Sequence, residues 1–458
     1  MNLSSLAAPR AFARTRRALV PVGRVAGISM MLLCSLLLAR PAVADGHGGR
    51  PELSLEAALS AAEARSQALR AEDLAATAAL DRAVAAGRLP DPVLRLSLDN
   101  VPVEGPMRYS LSDDFMTMRS IGVSQTLTGA DKREARRQRF ERDADAAGRA
   151  RELALLRLHE QTAQAWFDRH FAQQALALLQ RRREEAHLEV VAAQAAFRAG
   201  KGSEADVFAA RGALARIDDA MAESGGMLDV ATHRLARWVG AEAQRPSAKA
   251  PDVRSTRFDP VEFESAALRH PEAALLVARE DAARAEADAA RLERKADWSV
   301  SLMYSQRGRA YSDMVSVAVS VPLQWDSANR QDRVYSSKLA EAERMRAERE
   351  EGVREVQAEV RADFARWKAA VGRLAEYDAT LLPLAQDRKR SALAAYRGGR
   401  SDLAPVLAAR AAEIETELER NRLEALAARL WARLEFLLAV SRDPAAGEAA
   451  FKVLEGGR

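Results

Sequence analysis

The chain has 458 residues, long enough for two or three ordinary domains, with 69 basic and 65 acidic side chains and one cysteine, Cys34. Its formal net charge is +4, but residues 1–44 hold six arginines and no acid, so the remaining 63 basic and 65 acidic residues leave a net of −2. That balance excludes the concentrated basic face that nucleic acid requires, and beyond Cys34 there is no thiol for a disulfide or a cysteine metal site.

The first stretch reads as a leader. Arg10, Arg14, Arg16, Arg17 and Arg24 form a basic segment, Val25 to Ala39 is apolar, and Ala42-Val43-Ala44 has the pattern of a cleavage site. Residues 1–44 are therefore expected to be a secretory signal. The apolar run is too short and wrongly flanked for a spanning helix, and no later stretch approaches about 18 consecutive apolar residues. A helical membrane protein is excluded on that ground. A membrane β-barrel is not, because its strands alternate and score weakly on hydropathy.

Two copies of one plan follow. Residues 45–245 form the first repeat and 260–442 the second, with a linker at 246–259 and a tail at 443–458. Pro246, Pro251 and Pro260 mark the linker as irregular chain. Each repeat opens on an Ala-rich helix, about 54–86 and 260–296. A strand pair comes next, about 92–127 and 298–321. A long helical hairpin ends each repeat, with its turn at about 197–206 and 396–405. No proline occurs between Pro106 and Pro246, and residues 130–199 are rich in good helix formers. Roughly 70 helical residues would span on the order of 100 Å, more than a compact domain of this size needs. Small side chains and few aromatics suit closely packed helices, as in coiled coils.

Two alignments carry the duplication. Phe197–Arg211 (FRAGKGSEADVFAAR) lies without gaps on Tyr396–Arg410 (YRGGRSDLAPVLAAR), with seven of fifteen positions identical at an offset of 199. Arg88–Leu98 lies on Arg294–Tyr304 at an offset of 206. The difference falls between the two pairs, where the first repeat has the longer loop.

The strands alternate with period two. Leu94, Leu96 and Leu98 alternate with Arg95, Ser97 and Asp99. Ile121, Val123 and Leu127 alternate with Ser120, Gly122, Ser124 and Thr126, with Gln125 as the exception. Trp298, Val300, Leu302 and Tyr304 alternate with Ser299, Ser301 and Met303. Val315, Val317, Val319 and Val321 alternate with Ser316, Ala318 and Ser320. A soluble two-layer sheet shows such alternation too. Here the second face is mostly Ser, Gly and Ala, which fits a water-filled lumen behind a lipid-facing outside. Trp298 and Trp325 are expected at one end of the sheet and Tyr304 and Tyr311 at the other, as membrane-interface aromatics. Closed membrane barrels start at about eight strands, and open edges are not tolerated in lipid. A chain with four strands must then oligomerise if it spans the membrane. Three copies would supply twelve strands, while counting alone leaves two or four copies open.

Together the paired F/Y-R-x-G turns at Phe197–Gly200 and Tyr396–Gly399, the strand hairpins and the two-fold repeat resemble the TolC family of outer-membrane efflux proteins, over about residues 52–442. The resemblance implies a mainly α chain with a small membrane β-barrel part. It also implies a homotrimer in which four strands per protomer build a twelve-stranded barrel, carried on a long α-helical barrel in the periplasm. The partners it implies are outer-membrane lipid, a periplasmic membrane-fusion adaptor and an inner-membrane RND pump, with no cofactor and no enzymatic activity. Residues 91–105 and 114–123 look like the heavy-metal (CzcC/CusC-like) branch, the outer-membrane partners of copper/silver or cobalt–zinc–cadmium exporters.

Carried over from the family, the adaptor-docking tip is Phe197, Arg198, Gly200, Lys201, Gly202 and Ser203 in the first turn. In the second turn it is Tyr396, Arg397, Gly399, Arg400, Ser401 and Asp402. Asp206 matches the family's aperture carboxylate. Its second-repeat counterpart is Pro405, and Ala408 stands where the next acid is expected, so Asp402 is the nearby substitute. Met107, Met116 and Met118 lie in or beside the first outer loop. Thioethers can bind Cu(I), but packing is the ordinary role of such methionines. The histidines His159, His170, His187, His233 and His270 lack ligand spacing, and no phosphate loop or catalytic motif is present. Two alternatives stand beside heavy-metal export: a drug-efflux or type I secretion duct, and a soluble periplasmic coiled-coil adaptor or scaffold.

Overall fold

The computed structural model describes residues 52–256 and 269–442. The expected signal at 1–44, the tail at 443–458 and the stretch 257–268 lie outside the described residues. The first repeat holds α1 (Leu55–Arg65), α2 (Gln67–Ala86), β1 (Val93–Asp99), β2 (Met118–Leu127), α3 (Ala130–Arg198) and α4 (Glu204–Val239). The second holds α5 (Pro271–Glu293), β3 (Trp298–Gln306), β4 (Met314–Ser320), α6 (Gln331–Glu376), α7 (Leu382–Arg397) and α8 (Ala404–Arg442). A short 3₁₀ turn, Gly240–Gln244, follows α4. The chain is thus mainly α-helical with one small sheet, and no described helix is long and apolar enough to cross a membrane.

Each repeat opens on a helix whose described start is set by its cap. The first is broken at Ser66, whose backbone is extended. Its N–H bonds Glu63 O at 3.1 Å to close α1, and its Oγ accepts from Leu69 N at 3.2 Å to open α2. In the second repeat the expected start at 260 lies outside the described residues, and a described helix begins at Pro271. Proline fits the first helical turn, and His270 caps it by accepting the Glu272 N–H at 3.0 Å through Nδ1.

The two long helical stretches are not identical. α3 runs 69 residues without interruption. Its counterpart comprises the 46 residues of α6, a five-residue π segment at Tyr377–Leu381 and the 16 residues of α7. Pro383 stands in the first turn of α7, where its missing N–H would otherwise break an α-helical ladder. The π geometry absorbs that defect without ending the rod.

The main core lies where both repeats meet. Trp166 and Phe167 of α3, Leu59 of α1, Leu235 of α4, and Trp431 and Leu434 of α8 pack into one cluster with Trp367 of α6. The described part of the linker, 246–256, holds no helix or strand and is fastened into this core. Trp166 Nε1 donates to Leu53 O at 2.9 Å, and Trp367 Nε1 donates to Val253 O at 3.0 Å. The two bonds are the same contact made once per repeat. Trp431 Nε1 adds a third, to Ser255 O at 2.9 Å. Leu53 also forms an isolated parallel bridge with Ser247. Burying an indole beside a main-chain carbonyl satisfies two polar groups that would otherwise be costly inside.

The strands form a single antiparallel sheet in the order β1-β2-β3-β4. β2 runs almost directly into α3, so one end of the sheet stands on the helices. There the Lys132 ammonium is buried and reaches Asp297 at 2.9 Å, Glu293 at 3.1 Å and the Lys295 carbonyl at 2.9 Å. It ties the root of the first hairpin to the root of the second.

Candidate functional site

Two regions have features that packing alone does not explain: the paired helical turns and the apolar face of the sheet. At the first turn Gly200 has φ of 67°, and at the second Gly399 has φ of 65°. Lys201 N bonds Ala196 O at 2.9 Å and Gly200 N bonds Phe197 O at 3.0 Å. Arg400 N bonds Ala395 O at 2.9 Å and Gly399 N bonds Tyr396 O at 3.0 Å. Both are Schellman closures, with glycine in the left-handed position that a side chain disfavours. The repeated F/Y-R-x-G sequence is therefore a repeated backbone geometry, bond for bond.

After the turns the symmetry ends. Ser203 and Asp206 form a complete capping box on α4. Asp206 Oδ2 accepts from Ser203 N at 2.9 Å, and Ser203 Oγ accepts from Asp206 N at 3.1 Å. The hydrogen bonds from the Ser203 backbone and then from its hydroxyl hold the Asp206 carboxyl below its usual range. In the second turn Asp402 is exposed, and Ser401 Oγ donates to Asp402's own carbonyl at 3.2 Å. The two aspartates named at the sequence level thus sit in matching turns with different local partners.

The structure brings the two turns side by side. Val190 and Ala193 of α3, Val207 and Ala210 of α4, and Leu403 and Val406 at the start of α8 form a small core just behind them. Tyr396 packs against this core, whereas Phe197 is exposed. Arg198, Lys201, Arg397 and Arg400 all face solvent. The turns therefore present four cations and an exposed aromatic ring on one end of the molecule.

Above the turns lies a charged cluster that the sequence reading missed. Glu413 of α8, about 1% exposed, accepts from Lys389 of α7 at 2.7 Å and lies 3.3 Å from Arg182 of α3. Arg182 also reaches Glu417 and Glu185, and Arg410 reaches Glu185 and Glu189. Burial pushes the Glu189 carboxyl up despite the nearby Arg410. Only the Arg182–Glu185 spacing is local enough to be visible in sequence. The other pairs join residues far apart along the chain.

The sheet's register sorts its residues cleanly. Leu94, Val123, Leu302 and Val317 form one cross-strand row, and Leu96, Ile121, Tyr304 and Val315 form the next on the same face. On the other face Ser97, Ser120 and Ser305 share a row, with Ser120 and Ser305 hydroxyls 2.9 Å apart. The apolar face is open: Leu96 is 71% exposed, Val317 69% and Trp325 87%. Both outer strands, β1 and β4, have an unpaired edge in the protomer. Trp298 pairs with Leu127 at the helix end of the sheet, and Trp325 follows β4 at that end. Tyr304 lies toward the opposite end, and Tyr311 is in the loop there.

His159 and His170 take structural partners. His159 Nε2 lies 2.5 Å from Glu63, and His170 stacks on Trp166 with Gln174 at 2.7 Å. Among the described residues no group of three His, Cys, Asp or Glu side chains gathers where it could hold a metal ion.

No family model and no curated protein matches the chain. Solved structures do. CusC, solved in crystals that follow its folding and transmembrane channel formation, superposes with a TM-score of 0.73 at 16% identity, covering 84% of this chain and 92% of that one. The outer membrane protein VceC of Vibrio cholerae gives 0.70 at 15% identity, covering 84% and 95%. The outer-membrane channel OprN gives 0.69 at 18% identity, covering 84% and 89%. The chain has the fold of the TolC-type outer-membrane channels.

Proposed function

We propose that the protein is the outer-membrane channel subunit of a tripartite efflux system. In this reading it is a passive exit duct, with no chemistry of its own, driven by an inner-membrane RND pump through a periplasmic adaptor. One observation carries the reading. A four-stranded sheet with an exposed apolar face and two free edges stands on a pair of duplicated helical hairpins. Such a sheet is an aggregation hazard in water and an incomplete wall in lipid. Adding copies head to tail places β1 of one protomer beside β4 of the next, and the antiparallel alternation continues around the ring. Closure as a homotrimer gives twelve strands, within the range of known membrane barrels.

The exposed apolar face then meets outer-membrane lipid. Trp298 and Trp325 lie at the periplasmic interface, and Tyr304 and Tyr311 toward the outer one. The helices form the periplasmic tunnel, and the turns at Phe197–Ser203 and Tyr396–Asp402 meet the adaptor. Asp206 and Asp402 line the narrow end of the duct. The two-repeat division at 45–245 and 260–442 makes each repeat a building block of one sixth of the ring, with its own hairpin and strand pair. Heavy-metal cations are the favoured cargo, supported by the sequence likeness of residues 91–105 and 114–123 to that branch.

Two measurements test this. Deleting the gene should raise sensitivity to copper, silver, zinc, cobalt or cadmium salts, and sensitivity to lipophilic drugs alone would sink the metal assignment. Reversing the charge of Lys201 (Lys201→Glu) should weaken crosslinking to the adaptor while leaving the trimer intact. Unchanged crosslinking would remove the turn from the docking surface.

A further inference from the structure

Strand register gives every side chain of the sheet a face and a height. On the apolar face the last row before the outer loops holds Leu98, Arg119 and Gln306. Arg119 is the one charged residue on that face within the four described strands. It is exposed, and among the described residues it makes no ion pair or hydrogen bond. Arg309 lies just beyond Gln306, in the β3–β4 loop, and is likewise exposed and unpaired.

The other charges at this end are engaged, with one exception. Arg307 donates to Phe115 O at 2.9 Å through Nε, and Arg108 donates to the Tyr109 hydroxyl at 3.1 Å. Asp113 accepts from Ser110 Oγ at 3.0 Å, and Asp114 accepts from Met116 N at 2.8 Å. Asp313 accepts from the Tyr304 hydroxyl and from Arg307 N. Glu104 is the exposed acid left without a partner among the described residues. The loop fold thus satisfies most of its acids internally and leaves two guanidinium groups facing outward.

We propose that Arg119 and Arg309, both exposed at the outer end of the sheet, bind the phosphates of the phosphorylated glycolipid that forms the outer leaflet. The inference rests on the reading of the sheet as a membrane wall, in which the end away from the helices faces the cell exterior. An arginine at mid-depth on a lipid-facing strand is destabilising, and the cost falls steeply at the interface. Arg119 occupies that interfacial row. Guanidinium offers a planar fork that pairs with phosphate oxygens in bidentate fashion, and apolar neighbours such as Leu98 and Ile121 exclude competing water.

The test uses the purified trimer in nanodiscs containing either bisphosphorylated lipid A or its dephosphorylated form, with bound lipid counted by native mass spectrometry. The wild type should retain the phosphorylated lipid in preference. Arg119→Gln and Arg309→Gln should each reduce that preference about fivefold, as expected for one cation at an anionic surface. Arg119→Lys should recover part of it, which a purely structural role of the side chain would not predict. Equal retention of both lipids by the wild type, or an unchanged preference in the double Gln variant, overturns the proposal. Loss of the trimer or of outer-membrane recovery in the wild type would instead overturn the duct reading on which it stands.

Discussion

Gly200 and Gly399 show how single residues set the tip. A Cβ added at either would meet nothing within 4 Å, so sterics with neighbours do not require glycine. The positive φ does. Gly200→Ala or Gly399→Ala should therefore cost about 1 kcal/mol through backbone conformation alone. Gly212, inside α4 with open space around it and no positive φ, makes the control. Gly212→Ala should stabilise by roughly 0.5–1 kcal/mol through helix propensity. Denaturant unfolding of the three variants checks both signs.

Buried carboxyls act at this scale too. Burial, opposed by Arg433 and reinforced by Asp363, raises the Glu160 carboxyl from 4.5 to about 7. A folded-state pKa above the unfolded one means stability is fully present below pH 4.5 and is lost as pH rises through 7. His270 works in the opposite direction. Burial lowers it from 6.5 to about 4, so its contribution is present above pH 6.5 and fades as pH falls toward 4. Glu160→Gln should isolate the first effect. Relative to wild type, the variant should gain stability between pH 5 and pH 8, as read by thermal melts across that range. A pH-independent difference would show that Glu160 is not protonated in the fold.

Elements are set by their ends and by their interruptions. α4 begins with a capping box, so the Asp206 N–H and the Ser203 N–H each have a side-chain partner. Asp206→Ala should cost about 1 kcal/mol and speed hydrogen exchange at the Ser203 N–H, which loses its carboxylate partner. The same substitution at Asp402 should leave the start of α8 unchanged, because Asp402 accepts no main-chain hydrogen bond from that helix among the described contacts. The π segment at Tyr377–Leu381 is fixed from outside. The Asp378 carboxylate accepts from Arg420 of α8 at 2.6 Å and from Arg254 of the linker at 2.7 Å, and these bonds hold it below the usual carboxylate range despite partial burial.

The whole molecule is governed by the mismatch between a protomer and what its sheet requires. Four strands expose an apolar face and two edges, and the helices below cannot cover either. Because Cys34 lies within the expected signal, the rest of the chain offers a thiol-free background for crosslinking. Cysteines placed singly along β1 and along β4 and then combined should yield a covalent three-chain species in outer membranes. Within one protomer β1 and β4 are at opposite edges of the sheet and cannot be bridged. A ladder ending at two or at four chains would revise the trimer.

The sequence by itself determined whatever depends on near neighbours along the chain. Period-two alternation placed Leu94, Val123, Leu302 and Val317 on one face, because successive strand residues point to opposite sides. Helix formers without proline set the course of α3, and the glycine after each F/Y-R-x carried the left-handed turn. Tertiary structure alone decided which distant groups satisfy one another. The carbonyls of Leu53, Val253 and Ser255 find indole donors more than a hundred residues away, and that fastens the irregular linker into the core. Buried Glu413 meets Lys389 and Arg182 only once α3, α7 and α8 are packed together. A hydrogen bond or ion pair between distant residues leaves no periodic trace in the chain, whereas backbone handedness and side-chain alternation are written in every few residues.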